Sequence, residues 1–353
     1  MRDVAVVATA QSPAIRKEER RNEVEILMPV VHELRRRAGL SQADIGFTVS
    51  GSCDYLQGQA FAFVTALDAI GPWPPIDESH VEMDGAWALY EAWMRLQYGD
   101  IDTALVYSFG KSSPGDVRRI LSLQLDPYYL NPLWPDPVAL AALQARAVLE
   151  SDGIGERDLA EVVARARRNA KGNPNAQLQG DVDVDALLAE PMYLSPLRKH
   201  DCPPITDGAA AVILAAGDRA REIADRPAWI RGIDHRIEPH SLGVRNLADS
   251  PSTRTAGERA GVADRKVDVA ELHAPFSHQE IILKRALGLS DAVSVNPSGG
   301  ALGSNPVMVA GLLRIIEAAQ RIMDGQADRA VAHATSGPAL QQNLVAVLEG
   351  EGG

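Results

Sequence analysis

Residues 85–108, GAWALYEAWMRLQYGDIDTALVYS, align without a gap on residues 311–334, GLLRIIEAAQRIMDGQADRAVAHA, and seven of the 24 positions are identical. The shared pairs are Gly85/Gly311, Glu91/Glu317, Ala92/Ala318, Arg95/Arg321, Gly99/Gly325, Asp102/Asp328 and Ala104/Ala330. Each copy reads as a helix, a glycine stop, a turn carrying an aspartate, and an apolar strand. Roughly the same offset, 226 residues for this unit (311 minus 85), relates strands near Val4 and Trp229, and helix–strand units ending near Ser50 and Leu272. A helix–strand unit repeated at one fixed spacing confines the chain to two similar α/β halves.

Other segments agree. Residues 4–9, VAVVAT, form a short continuous apolar run, as in a strand buried on both faces. The pattern predicts a helix from Glu23 to Ala38 closed by Gly39, a strand from Ile45 to Ser50, a helix from Gly85 to Tyr98 and a strand from Thr103 to Ser108. Strands alternating with helices imply a sheet covered on both faces. Residues 111–200 break the pattern: they begin rich in proline and aromatic residues (Pro127, Tyr128, Tyr129, Pro132, Trp134) and continue with helical stretches at about 138–150 and 157–170. This reads as an inserted loop domain. Residues 207–215, DGAAAVILA, return the chain to the first half as its last strand. The expected division is 1–110 with 201–218 as the N-terminal half, 111–200 as the inserted loop domain, and 226–353 as the C-terminal half.

A chain of 353 residues with 46% hydrophobic and 23% charged residues is an ordinary globular composition. Its net charge of −12 argues against nucleic acid or an anionic membrane as the main partner. No run of eighteen apolar residues suggests a membrane span, and the start reads as a strand rather than a secretory signal. The only cysteines, Cys53 and Cys202, give neither a disulfide framework nor metal-ligand spacing, so no metal is expected and the cytoplasm is the expected location.

The richest local signal is Val295–Gly311, VNPSGGALGSNPVMVAG, a glycine-rich turn that opens an apolar helix. Such a loop can bring backbone N–H groups close to a ligand, which makes Gly299 and Gly300 candidate ligand-binding positions. The loop resembles the Asn-x-x-Gly-Gly…Gly-His-Pro loop of the thiolase superfamily, with Asn305 where the family has a catalytic His before Pro306. Four further segments carry the resemblance: the Gly85 helix–strand unit, Asn169–Gln177 (NAKGNPNAQ), Ser195–Ala211 (SPLRKHDCPPITDGAAA) and Glu271–Ser277 (ELHAPFS). Asn169–Gln177 and Ser195–Ala211 look most like sterol-carrier-type thiolases and the related lipid-transfer-protein aldolases. The resemblance implies a five-layered αβαβα fold of two duplicated halves with an inserted loop domain, a dimer, and acyl-CoA thioesters as substrates, with coenzyme A entering as part of the substrate and no tightly bound cofactor.

It also assigns candidate site residues. The family's nucleophilic Cys position, in Cys-x-Ser-Gly at a helix N-terminus, falls on Glu82 in Glu82-Met83-Asp84-Gly85, so a Cys acyl-enzyme is not expected. Glu82 reads either as a general base or as a charge or cap at the helix N-terminus, for which Asp84 also qualifies. His273, in His-Ala-Pro-Phe, matches the first residue of the family's Asn-Glu-Ala-Phe or His-Asp-Cys-Phe motif, which helps form the oxyanion hole; in the aldolase relatives a Tyr stands there. Alternatively it is a buried His bonded to backbone. His333, near the place of the second catalytic Cys loop, is a proton-transfer candidate with Tyr107 as its counterpart in the first half. Asn305 can donate a hydrogen bond but cannot exchange a proton near neutral pH, or else it shapes the turn before Pro306. Arg168 and Lys171, in the Arg165–Lys171 cluster, face either coenzyme A phosphates or solvent.

Three readings follow. The first is an enzyme for carbon–carbon cleavage on a CoA thioester, of retro-aldol or retro-Claisen type, in lipid or steroid side-chain degradation. A homodimer, or a complex with an acyl-CoA-binding partner of OB fold, suits it. The second is a catalytically degenerate subunit paired with an active thiolase-like chain. The third is a lipid-transfer protein, although no separate sterol-carrier domain is read in the chain.

Overall fold

A computed structural model describes residues 1–151 and 153–351. Its strands are β1 (Val4–Gln11), β2 (Phe47–Gly51), β3 (Glu78–Val81), β4 (Thr103–Gly110), β5 (Met192–Leu194), β6 (Leu197–Arg198), β7 (Gly208–Ala216), β8 (Ala228–Ile237), β9 (Val269–Leu272), β10 (Ser294–Val295), β11 (Arg329–Ser336) and β12 (Gln342–Glu349). β5 and β6 form a small hairpin, and the other ten strands form one ladder in the order β10-β9-β11-β12-β8-β1-β7-β4-β2-β3. The order is a palindrome of the repeat. From each outer edge inward the first two pairings are parallel and the next two antiparallel. The halves meet where Ala5 and Val6 of β1 pair with Trp229 and Ala228 of β8.

The period of two along each strand sets the layers. Val4, Val6, Val106 and Leu214 of the first half, and Ala332, Ala334, Leu344 and Leu348 of the second, share one core with the helices Gly85–Gln97 and Ala310–Met323. Alternate residues (Ala5, Val7, Leu105, Ile213) face outward onto the helices Glu23–Ala38 and Ala62–Ile70. Val331, Val345 and Val347 face outward onto Pro251–Ala260 and Ser277–Ala286. The result is helix, sheet, helix, sheet, helix, the five-layered arrangement that the thiolase resemblance implied.

The shared glycines of the repeat have a steric cause. A Cβ on Gly85 would lie 2.6 Å from Ser108 Cβ, and one on Gly311 would lie 2.7 Å from Ala334 Cβ, the matching position 226 residues later. Each central helix therefore presses its first turn onto the strand that follows it. Gly99 and Gly325 close the equivalent helix–strand turns with φ of 82° and 69°.

Between β4 and β7 the chain carries the helices Val117–Leu123, Pro137–Ser151, Glu156–Ala170 and Val184–Ala189 and the β5–β6 hairpin. This segment packs onto the second half: Ala160 and Val163 meet Leu302, and Val138 and Ala141 meet Phe276. Among the described residues no helix is long and apolar enough to cross a membrane.

Candidate active site

A cavity of about 1230 Å³ opens between this segment and the two halves. It is larger than the roughly 300–1,000 Å³ that small-molecule sites occupy, room enough for an extended ligand. One wall is apolar, with Val117, Leu121, Val138, Phe276 and Leu340. Arg16, Lys17, Arg167 and Lys199 bring positive charge to the lining. The polar floor includes His273, Asn305 and Thr335, and Glu82 lines the same cavity.

His273 follows β9. Its backbone N–H donates to His333 O at 3.1 Å, and its Nδ1 accepts the Thr335 N–H at 3.3 Å. That acceptor role places the ring proton on Nε2, which donates to Asn305 Oδ1 at 3.2 Å. Burial, with His333 and Arg314 nearby, pushes the imidazole pKa down to about 3, so the ring is neutral. Asn305 is buried and held from the other side by its N–H bond to Thr206 Oγ1 at 3.0 Å. With Oδ1 committed to His273, the Nδ2–H₂ group has no protein partner among the described residues, and Asn305 lines the cavity. The free donor at the floor is thus the Asn305 amide, not the imidazole.

The glycine-rich loop reaches this position on a buried polar frame. Glu271 accepts from Ser298 N and Oγ at 3.0 and 2.7 Å and pairs with Arg314 at 2.8 Å. Burial raises the Glu271 pKa, and the Arg314 charge opposes that. Asn296, at φ 47°, accepts from Leu272 N at 2.6 Å and donates to Glu280 at 2.7 Å. Gly299 and Gly300 are tied to this frame, their N–H groups donating to Asn296 O at 2.9 Å and Ser298 Oγ at 3.2 Å. A Cβ on Gly299 would meet Ala170 Cβ at 2.6 Å, so the glycine serves helix packing, and neither residue lines the cavity.

Glu82 sits in the turn after β3. Of the two residues read as possible caps of the Gly85–Gln97 helix, Asp84 takes the role and Glu82 does not. Fully buried, Asp84 accepts from Ala86 N at 2.9 Å and also from Gly311 N and Leu312 N at 2.9 and 3.0 Å, the first turn of the opposing central helix. Burial raises its pKa against the pull of those three bonds. Glu82 instead accepts the Asp54 N–H at 2.7 Å and stands 3.2 Å from His80 Nε2. Sequence distance also hid a thiol, because Cys53, at the end of the turn after β2, lies beside Glu82. It is buried, and burial first, then the Glu82 charge, raises its pKa, which keeps it protonated.

His333 is fully buried and does not line the cavity. Its Nε2 donates to Asn343 Oδ1 at 3.0 Å, and burial pushes its pKa down to about 4. Arg168 and Lys171 also lie outside the cavity lining, with Lys171 paired to Asp181 at 2.5 Å. Among the described residues no group of three or more His, Cys, Asp or Glu could hold a metal ion.

No family model matches the chain. An acetyl-CoA acetyltransferase of Methanothermobacter thermautotrophicus is 32% identical over 184 residues, 46% of this chain and 48% of that protein. Sterol carrier protein 2 of Bos taurus is 24% identical over 348 residues, 87% of this chain and 62% of that protein. The chain spans about half the length of the curated relatives it matches. The Ltp2-ChsH2(DUF35) aldolase has the same fold, with a TM-score of 0.83 over 99% of this chain and 98% of its own at 18% identity. The chain is thiolase-like, with sequence relatives among thiolases and sterol carrier protein 2 and the fold of a thiolase-like aldolase.

Proposed function

We propose that the protein cleaves a carbon–carbon bond of a 3-hydroxyacyl-CoA by a retro-aldol reaction, in lipid or steroid side-chain degradation. The observation that carries this reading is the His273–Asn305 pair, which leaves an amide N–H₂ group on the floor of a cavity that Glu82 also lines. Glu82 takes the proton of the β-hydroxyl. The Cα–Cβ bond breaks, its electrons move into the thioester, and the enolate oxygen is held by the Asn305 amide. A proton then adds to Cα, giving an aldehyde or ketone and a shortened acyl-CoA. No acyl-enzyme forms, which agrees with a carboxylate at the family's cysteine position and with a protonated Cys53. Cleavage of retro-Claisen type would need a nucleophile, and neither cysteine is prepared for it: burial raises both thiol pKa values, Cys202 to about 12.

In this reading Arg16, Lys17, Arg167 and Lys199 meet the phosphates of coenzyme A, while the apolar wall takes the acyl group. The name of the Ltp2-ChsH2(DUF35) aldolase joins two proteins, which supports a heteromer as the working assembly. A second reading, a supporting subunit for an active thiolase-like chain, is favoured by one observation: both Glu82 carboxylate oxygens already have protein partners. Native mass of the tagged protein from its own host, with every copurifying chain identified, tests the pair. Turnover of 3-hydroxyacyl-CoA by the isolated protein supports the first. A stoichiometric thiolase-like partner that alone carries the activity supports the second.

A further inference from the structure

Glu82 is half exposed, and a free carboxylate there would sample several rotamers. Two groups on neighbouring elements restrict it. Its Oε1 accepts the Asp54 N–H at 2.7 Å, and Asp54 is itself fixed because its carboxylate accepts from Phe61 N and Ala62 N at 2.7 and 3.0 Å. Its Oε2 lies 3.2 Å from His80 Nε2. The His80 ring is stacked on Phe63, with centroids 4.4 Å apart and planes 9° from parallel. Its Nδ1 lies 2.9 Å from Ser50 Oγ, and Ser50, fully buried on β2, is the register partner of His80 on β3.

We propose that His80 is a positioning residue for proton transfer by Glu82, with Ser50 and Phe63 fixing the imidazole that holds the carboxylate; this rests on the retro-aldol reading above. The order of groups matters. The hydroxyl is at the buried end and the carboxylate is at the cavity, so the chain cannot make Ser50 a nucleophile. With Ser50 Oγ–H donating to Nδ1, the ring proton sits on Nε2 and donates to Glu82. An exposed ion pair would contribute little to stability. A carboxylate held to within a fraction of an ångström of its working position gains in rate instead, because misplacement of a reacting group is costly.

The test is steady-state turnover of a 3-hydroxyacyl-CoA by wild type, H80F, H80Q, S50A and E82Q. H80F keeps a ring to stack on Phe63 and removes the donor, whereas H80Q keeps a donor and removes the ring. The expected result is a kcat lower by roughly tenfold to a hundredfold in H80F, less than the roughly 10²–10⁴ that an acid–base group itself contributes because Glu82 is still present, with KM changed by less than about twofold. H80Q recovers part of the loss, S50A shows a smaller one, and the melting temperature of H80F stays near that of wild type. Wild-type turnover in H80F while E82Q is inactive overturns this proposal alone. A wild type inactive both alone and with its copurifying chains, or an E82Q variant with full activity, overturns the retro-aldol reading and this proposal with it.

Discussion

His273 Nε2 stands 3.2 Å from Asn305 Oδ1 while its Nδ1 accepts the Thr335 N–H, so one neutral imidazole couples β11 to the glycine-rich loop. The bond fixes which face of the Asn305 amide turns to the cavity.

Removing that amide removes the donor to the enolate oxygen. Asn305→Ala is expected to lower kcat by about 10²–10³, the loss typical of one oxyanion donor, with little change in KM. Asn305→Asp keeps the acceptor for His273 but sets a negative charge where charge develops, and is expected to be slower still. Turnover kinetics on a 3-hydroxyacyl-CoA check both.

Asp84 serves two helices at once. Asp84→Ala leaves the N–H groups of Ala86, Gly311 and Leu312 buried and unpaired, and the expected cost is about 3–5 kcal/mol, beyond that of an ordinary N-cap. Asp84→Asn keeps one acceptor oxygen and is expected to lose less. Urea unfolding of both variants measures the difference.

Gly311→Ala tests the packing of the repeat. The added methyl meets Asp84 Oδ1 at 2.5 Å and Ala334 Cβ at 2.7 Å, both in the interior. Destabilisation of about 1–3 kcal/mol is expected from overpacking, read from the shift in the urea midpoint.

Acid weakens the fold through its buried imidazoles. His278 is fully buried, bonded to Gln144 Oε1 at 3.2 Å, and burial pushes its pKa from 6.5 down to about 3. Between those values the unfolded chain binds a proton that the native chain does not. Stability therefore falls as pH drops below 6.5, by up to about 1.4 kcal/mol per pH unit for this residue, until about pH 3. His273 and His333 act in the same direction, and Asp84 and Glu271, raised by burial, act in the opposite one. Comparing wild type with His278→Gln isolates one residue: the variant is expected to show the shallower dependence of unfolding free energy on pH.

Cys53 and Cys202 are expected to react slowly with alkylating reagents in the native state at neutral pH, because burial raises both thiol pKa values. Mass spectrometry of native and urea-unfolded protein compares the rates. Fast native labelling of Cys53 would contradict a protonated thiol.

Much of the architecture was legible because the repeat and the strand period are local signals. The helix from Glu23 to Ala38 ends where Gly39 predicted, and β7 runs from Gly208 to Ala216 against an expected 207–215. The palindromic strand order follows from the offset of 226 residues. Site geometry was legible only in part. His273 and Asn305 face one cavity, but the direction of their hydrogen bond depends on Thr335, a residue of another strand. His333 is on a strand whose neighbour Asn343 takes up its Nε2, which no spacing in the sequence reveals. Helical phase decides the cationic wall: Arg167 reaches the cavity, and Arg168, one residue later and turned by about 100°, does not. Cys53 and Glu82 are 29 positions apart, and only the folding of β2 beside β3 brings them together.

The position matching Asp84 in the second copy of the repeat is Ala310, which has no oxygen to offer a helix end. The second central helix therefore borrows its cap from the first copy. A duplicated unit begins with two self-sufficient modules, but here one has become a lender and the other a debtor. The C-terminal copy cut free of its twin would begin its longest helix with the N–H groups of Gly311 and Leu312 bare, so neither module can be exchanged singly without redrawing that helix end.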